Sequence, residues 1–478
     1  MSSSSQARII PDRRESGAAI KPFRWCLAAT LAWGVLAFGA VYPWAYWPLS
    51  VASAGLGLWA IVTARAWEDP RAVRLGIVLA VVLAAIALQA FPLPYHWVSW
   101  LSPGLDPLLR EYALGYRAPA RHALSLESAD TGVVFFLALG LALLLVGATR
   151  MVRRLPLEWL VNQLMGLAVA LAVFGIVQRA FFDPASPMVY GFWRPRDGGN
   201  PFGPFVNRNH FAGWMVMVLP VVAMYTVAVL REARGPAARG AGARLRWLTT
   251  MDGNRVLLLG IATLVMGAAL VLTGSRSGVA SFAVAVAVML AFVVQELQGR
   301  QRVAAIVYAA LLLGGAIAWA GSDMVVARFA AAPDALDGRL GAWRDTVAIA
   351  RDFPVFGVGL GAFGRAMLIY QTGDRRLMYA QAHNDYLQLA AEGGLLVMVP
   401  VLLVLFTVVR AIRRRLAASE DDPLTFWIRR GAVAGLLGVA AQSLMEFSLQ
   451  MPGNSVMFVT LLAVAMHRPR TAHHAHRV

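Results

Sequence analysis

A single cysteine, Cys26, and a single lysine, Lys21, occur in 478 residues. One cysteine excludes an intramolecular disulfide, and Cys26, lying in an apolar stretch, reads as a buried filler. Charge is scarce as well: Asp, Glu, Lys and Arg make up 14% of the chain, where a soluble domain carries roughly a quarter. Acids are scarcest, since the centres of the apolar stretches hold almost no Asp or Glu. That lack disfavours proton- or sodium-coupled transport, which places ionisable groups near the bilayer midplane. There is no P-loop and no Gly-x-Ser-x-Gly elbow or Ser/Lys dyad in a suitable context. No His, Cys or carboxylate spacing matches a metal site. No short-period repeat or soluble domain boundary is visible, so residues 1–478 read as one membrane domain.

What the chain has is apolar length: 59% of residues are hydrophobic and the mean hydropathy is +0.61. Runs of about 17–25 apolar residues cross the hydrocarbon core as helices, because lipid offers the backbone no hydrogen-bond partner. The pattern predicts an all-α polytopic protein with about twelve spans, near 25–41, 47–64, 73–91, 132–149, 158–180, 210–230, 255–273, 278–295, 303–321, 386–409, 431–447 and 453–467. The first pair is separated only by Tyr42-Pro43-Trp44-Ala45-Tyr46, an aromatic cluster suited to an interface. The first apolar stretch begins at Trp25 after polar residues and reads as a span, not a cleaved signal.

The net charge of +17 raises the possibility of nucleic acid, but its distribution speaks against it. Seven alternate segments hold 28 of the 43 Lys and Arg: 8–24, 65–74, 150–154, 231–255, 300–302, 410–430 and 468–477. The positive-inside rule places these segments, and both termini, in the cytoplasm. The histidine-rich end of the chain then reads as a solvated cytoplasmic tail. Two long regions fall on the outer side, 92–131 and 322–385. The first is rich in proline and aromatics and suggests short amphipathic pieces on the bilayer surface. Within the second, Leu340 to Phe353 has helical spacing with Trp343 on its apolar face, and Pro354 ends it. The stretch Gly357-Val358-Gly359-Leu360-Gly361 lacks the strand and spacing of a nucleotide loop and reads as a tight turn packed on helices.

Three polar motifs lie at the outer edge under this topology. Asn207-Arg208-Asn209-His210 precedes the sixth span, Thr273-Gly274-Ser275-Arg276-Ser277-Gly278 turns between the seventh and eighth, and Ala382-His383-Asn384-Asp385 leads into the tenth. Arginines at span ends often snorkel to lipid phosphates. A guanidinium is also a planar fork suited to phosphate oxygens, and glycine turns let backbone approach a ligand. Two such forks, Arg208 and Arg276, could grip a diphosphate without a metal, and Arg194-Pro195-Arg196 is a further candidate. His383 is either an interfacial loop residue or a proton acceptor. A helix beginning at Asn384 or Asp385 turns its positive end toward the ring, and a neutral imidazole there can take a proton from a hydroxyl. Asp385 and Glu392 could orient it or cap the helix; for Glu392, about two turns into the span, a structural role is favoured.

At these residues the chain resembles the O-antigen ligase and polymerase superfamily of bacterial polysaccharide assembly. The likeness rests on the multi-span layout, the large outer loop before span ten, and five local patterns in order: Asn207-Arg208-Asn209, Gly274 to Gly278, Pro354 to Phe363, His383 to Leu387 with Glu392-Gly393, and Glu446-Phe447 to Pro452. It implies a metal-independent glycosyltransferase without cofactor, in the bacterial inner membrane. Such proteins move a glycan from undecaprenyl diphosphate to an acceptor at the periplasmic face. By position, Arg208 and Arg276 would bind the diphosphate and His383 would activate the acceptor hydroxyl, with Asn207, Asn209, His210, Asn384, Asp385 and Glu392 in support. Some members carry a histidine near Gln442, so any role there is lost or altered here. The acceptor stays open. Lipid A–core makes a ligase, which is favoured; a growing lipid-linked glycan makes a polymerase, and a protein hydroxyl an oligosaccharyltransferase. From a different class, an anion (bicarbonate) transporter with an arginine-lined path survives the scarcity of acids.

Overall fold

The computed structural model describes residues 13–112, 116, 121–181, 186–195, 199–233, 247, 249–296, 298–300, 302–303, 306–307, 310, 314, 334–373, 378–417 and 422–468. Helices dominate: α1 (Arg13–Leu36), α2 (Pro43–Thr63), α3 (Pro70–Ala90), α4 (Tyr95–Leu101), α5 (Leu105–Tyr112), α6 (Ser128–Met151), α7 (Leu157–Ala180), α8 (Arg208–Glu232), α9 (Met251–Leu272), α10 (Arg276–Val294), α11 (Asp334–Asp352), α12 (Phe363–Tyr370), α13 (Asp385–Leu416), α14 (Pro423–Gln442) and α15 (Pro452–Ala465). The protein is an all-α polytopic membrane protein. Among the described residues, nine helices are long and apolar enough to cross a membrane: α2, α3, α6 to α10, α13 and α14.

The other three of the twelve expected spans fall short for separate reasons. Helix α1 opens on polar residues and becomes apolar only near Phe23. Helix α15 is apolar but has 14 residues. The ninth expected span, 303–321, lies mostly outside the described residues. The eleventh is displaced: the chain expected to cross at 431–447 forms a helix at Pro423–Gln442, opened by Asp422 accepting from Thr425 N–H with Pro423 in the first turn. Asp and Pro there are a helix-start signal. Arg429 and Arg430 are therefore buried inside α14 instead of lying in a loop. Arg429 donates to the carbonyls of Arg415 and His467, and the Arg430 guanidinium lies over the Phe426 ring. Cys26 is exposed on α1, not buried.

Helices α8 and α14 form the interior, with most of their apolar windows enclosed by the rest of the chain, whereas α13 shows its apolar face outward. Glycines on α14 permit the close approach to α8: a Cβ at Gly435 would stand 2.4 Å from the Met217 carbonyl. Small residues four apart let membrane helices pack backbone to backbone. The start of α8 and the end of α14 thereby come to one end of the bundle.

At that end the described parts of the two long regions expected on the outer side, 92–131 and 322–385, share a core. A short antiparallel pair, Leu93–Pro94 with Arg121–His122, closes the first region around α4 and α5. Its Val98, Leu105 and Leu124 share one apolar core with Ile349 and Phe353 at the end of α11 and Phe363 of α12. Helix α11 ends one residue before Phe353-Pro354, close to where the proline predicts. The glycine stretch is a packed turn, as its residues suggest. Gly357, Gly359 and Gly361 have φ of +63°, +98° and +85°, a region open to glycine. A Cβ at Gly357 would lie 2.1 Å from the Glu392 carbonyl.

Candidate active site

Three helix starts meet beneath this cap. Asn207 caps α8, its side chain accepting from Asn209 N–H, which places Arg208 in the first turn. Ser275 caps α10 by accepting from Gly278 N–H, which does the same for Arg276. Asn384 caps α13, accepting from the N–H groups of Tyr386 and Leu387, and leaves His383 just outside the helix. Each cap is a short polar side chain satisfying donors that a helix leaves open. Asn384, not Asp385 or Glu392, is the cap of α13.

Arg208 reaches across to the α10 turn. Its Nη1 lies 3.2 Å from where a Cβ on Gly274 would be, so the absence of a side chain at Gly274 makes room for the guanidinium. Arg276, Arg179 and Glu446 all act electrostatically on Arg208. The two arginines singled out in the sequence are thus neighbours, and Arg179, in the last turn of α7, joins them. Arg196 lies outside the described residues.

The histidine is held by a second set of contacts. His383 has φ +50°, strained for a residue with a Cβ. Its flanks are fixed: Ala382 N–H donates to Gln388 Oε1 at 2.9 Å, Trp343 Nε1–H donates to the Ala382 carbonyl at 2.9 Å, and Asp385 N–H donates to the Ser443 carbonyl at 2.9 Å. The ring packs edge-on against Phe447 with centroids 5.0 Å apart, and His210 packs on Phe447 at 4.7 Å. The side chain keeps 30% exposure, so it remains open to a ligand.

Glu446 joins the two halves. It is 1% exposed; Oε1 accepts from Asn209 Nδ2 at 2.8 Å and Oε2 faces His383 Nδ1 at 3.4 Å. An ionised carboxylate accepts only, so it selects the tautomer with the proton on Nδ1 and leaves Nε2 with a lone pair. Within the family-like stretch Glu446-Phe447 to Pro452 this residue has no role assigned from sequence, because reading 431–447 as a span places it inside the membrane; the helix-start signal at Asp422-Pro423 moves the span away from it. Gln442, the last residue of α14, donates from Nε2 to the Asn209 carbonyl at 3.1 Å and so holds the start of α8.

The remaining expected residues sort clearly. His210 is buried behind Phe447, its carbonyl accepting from Asn454 Nδ2. Asp385 Oδ1 accepts from Gln450 Nε2 at 2.9 Å. Glu392 braces the glycine turn: Oε1 accepts from Phe363 N–H at 3.0 Å, and its carbonyl accepts from Gly359 N–H and from Gln89 Nε2. Asp385 and Glu392 both line a cavity of about 470 Å³ whose walls are mainly apolar side chains of α2, α6, α13 and α15. His383, Glu446, Arg208 and Arg276 do not line it; Gln381 and Asp385, on either side of the histidine in sequence, do.

Two guanidinium groups beside an imidazole and a carboxylate can hold a phosphate-bearing group while a proton is removed close by. The comparisons with known proteins agree in class. Residues 261–402 match the family described as O-Antigen ligase, Wzy_C. No curated protein matches the chain. The matched segment, less than a third of the chain, contains Gly274, Arg276, the glycine turn, His383 and Glu392; over it the chain is similar to the O-antigen ligase family, which supports a glycosyltransferase of the ligase and polymerase type.

Proposed function

We propose that the protein moves a glycan from undecaprenyl diphosphate to an acceptor hydroxyl at the outer face of the membrane, with inversion at the anomeric carbon. The observation that supports this reading is the meeting of Arg208 with the Arg276 turn, and of Asn209 with His383 through Glu446, at one end of the bundle. No ATP is available outside the inner membrane, so the donor brings its own activation, which a sugar diphosphate does. The acceptor oxygen attacks the anomeric carbon as the carbon–oxygen bond to the diphosphate breaks. The diphosphate departs with the electron pair, and the hydroxyl proton passes to Nε2 of His383. The arginines stabilise the charge that gathers on the leaving oxygens. Glu446 stabilises the imidazolium once it forms, as the carboxylate does in a Ser-His-Asp triad.

The test uses purified protein, lipid-linked donor and acceptor. His383→Ala is expected to lower transfer on the order of 10²- to 10⁴-fold, the usual worth of a positioned base, and Arg276→Ala on the order of 10²- to 10³-fold. Full activity in both variants, with normal membrane insertion, refutes the assignment. Lipid A–core is the favoured acceptor, which makes the protein a ligase. Deleting the gene should then leave full-length polymer on the carrier. Single repeat units on the carrier or on core would mark a polymerase instead, and loss of glycan from protein a protein transferase. Uptake of labelled bicarbonate into proteoliposomes would move the reading to an anion transporter.

A further inference from the structure

At the opposite end of the bundle a second cavity, of about 230 Å³, lies between α3, α6, α13 and the chain after α15. The two cavities share no lining residue, and the part of α13 after its break at Gly394 alone runs about 17 Å from Leu395 to Phe406 at roughly 1.5 Å per residue, so this cavity is separate from the site above. Arg71 and Arg74 enter from the first turns of α3, and Arg153 from just beyond α6. Arg410, Arg414 and Arg415 come from the end of α13, and Arg468 from beyond α15. Against these seven guanidinium groups the lining offers one carboxylate, Asp69.

That carboxylate is already engaged. Asp69 Oδ2 lies 2.7 Å from Arg150 and 3.5 Å from Arg153, and its Oδ1 accepts from Arg71 N–H. The ends of α6, α13 and α15 each supply about half a negative charge, which falls well short of the remaining arginines. Arg415 feels the charges of Arg468, Arg71, Arg429 and Arg153 at once. Among the described residues, Arg74, Arg410 and Arg414 make no ion pair with a carboxylate. So many like charges around a recess between helices call for an anion.

The rim identifies which anion. Leu75, Phe406 and Met466 line the same cavity, and Phe406 is 62% exposed on the outward face of α13. A ligand with phosphate at one end and hydrocarbon beside it satisfies both surfaces. We propose that this cavity binds the headgroup phosphate of an anionic phospholipid, with its acyl chains lying against Phe406. Basic recesses between membrane helices are suited to such headgroups, and arginine forks match phosphate oxygens.

The test is thermal unfolding of purified full-length protein in detergent, with phosphatidylglycerol, phosphatidylcholine or inorganic phosphate added. Phosphatidylglycerol should raise Tm by several degrees more than phosphatidylcholine, and inorganic phosphate at equal concentration should not reproduce the rise. The variant Arg74→Gln/Arg410→Gln/Arg414→Gln should lose that difference. It should also lose phosphatidylglycerol that co-purifies with wild type, read by native mass spectrometry. A charge-matched control, Arg300→Gln/Arg302→Gln/Arg413→Gln, removes arginines outside the cavity and should keep both. Equal responses in the two variants, or equal stabilisation by phosphatidylcholine, overturns the site. A full effect from inorganic phosphate overturns the lipid as its occupant.

Discussion

Glu446 faces Nδ1 of His383 at 3.4 Å while its other oxygen holds Asn209 at 2.8 Å. One buried carboxylate therefore links the proton acceptor to the turn that carries Arg208. If the link works as proposed, Glu446→Gln keeps the shape but loses the charge that fixes the tautomer and balances the imidazolium. We expect kcat to fall on the order of 10²-fold or more, the direction seen when a triad carboxylate becomes an amide. The double variant with His383→Ala should be no slower than His383→Ala alone, because the two act as one unit. Additive losses in steady-state kinetics would separate Glu446 from the histidine.

Trp343 connects the cap to the same histidine by donating to the Ala382 carbonyl. Trp343→Phe retains the aromatic packing and removes this one bond, worth about 1 kcal/mol net. His383 then has one fewer restraint on its strained backbone. A fall in kcat of about fivefold with unchanged KM for the donor follows from that energy. A changed donor KM with constant kcat would instead place Trp343 in donor binding.

Gly274 tests the arginine pair. It has φ +62°, and a Cβ there would lie 3.2 Å from Arg208 Nη1. Gly274→Ala costs about 1–2 kcal/mol in the left-handed region and pushes the guanidinium aside. Transfer should drop about tenfold or more, and adding Arg208→Ala should take activity no lower than Arg208→Ala alone. If the two losses multiply, Arg208 is not held over the turn in the way its position indicates.

Much of this was legible from residue type and spacing. Length and apolarity place the helices, because lipid leaves the backbone no other solution. The three polar motifs stand out because each couples a capping side chain to an arginine or histidine at a span end. Pro354 and the glycine triplet also behave locally as their backbone preferences dictate. What stayed hidden depended on contacts distant in sequence. Glu446 opens one of the family-like stretches, but its pairing with His383, 63 residues away, has no local signal. Arg179 looks like any cation closing a helix until Arg208 folds back beside it. The cap's shared core joins residues near 100 to residues near 360, and no local pattern encodes that pairing.

Asp69 offers a test away from the site, by acid. Burial works to raise its carboxyl pKa. The Arg71 N–H, with the charges of Arg150 and Arg153, outweighs that and holds it below its ordinary value of 3.8. A depressed folded-state pKa means the unfolded chain binds the proton more tightly. The stabilisation is therefore whole above pH 4 and is lost as pH falls through the lower folded value. Asp69→Asn abolishes it at every pH. Wild type should thus exceed the variant in Tm at pH 6, and the gap should narrow as the pH falls below about 4. Unfolding followed by tryptophan fluorescence in detergent across that range checks the sign. A gap that widens on acidification would show that the arginine cluster does not hold Asp69 in its charged form.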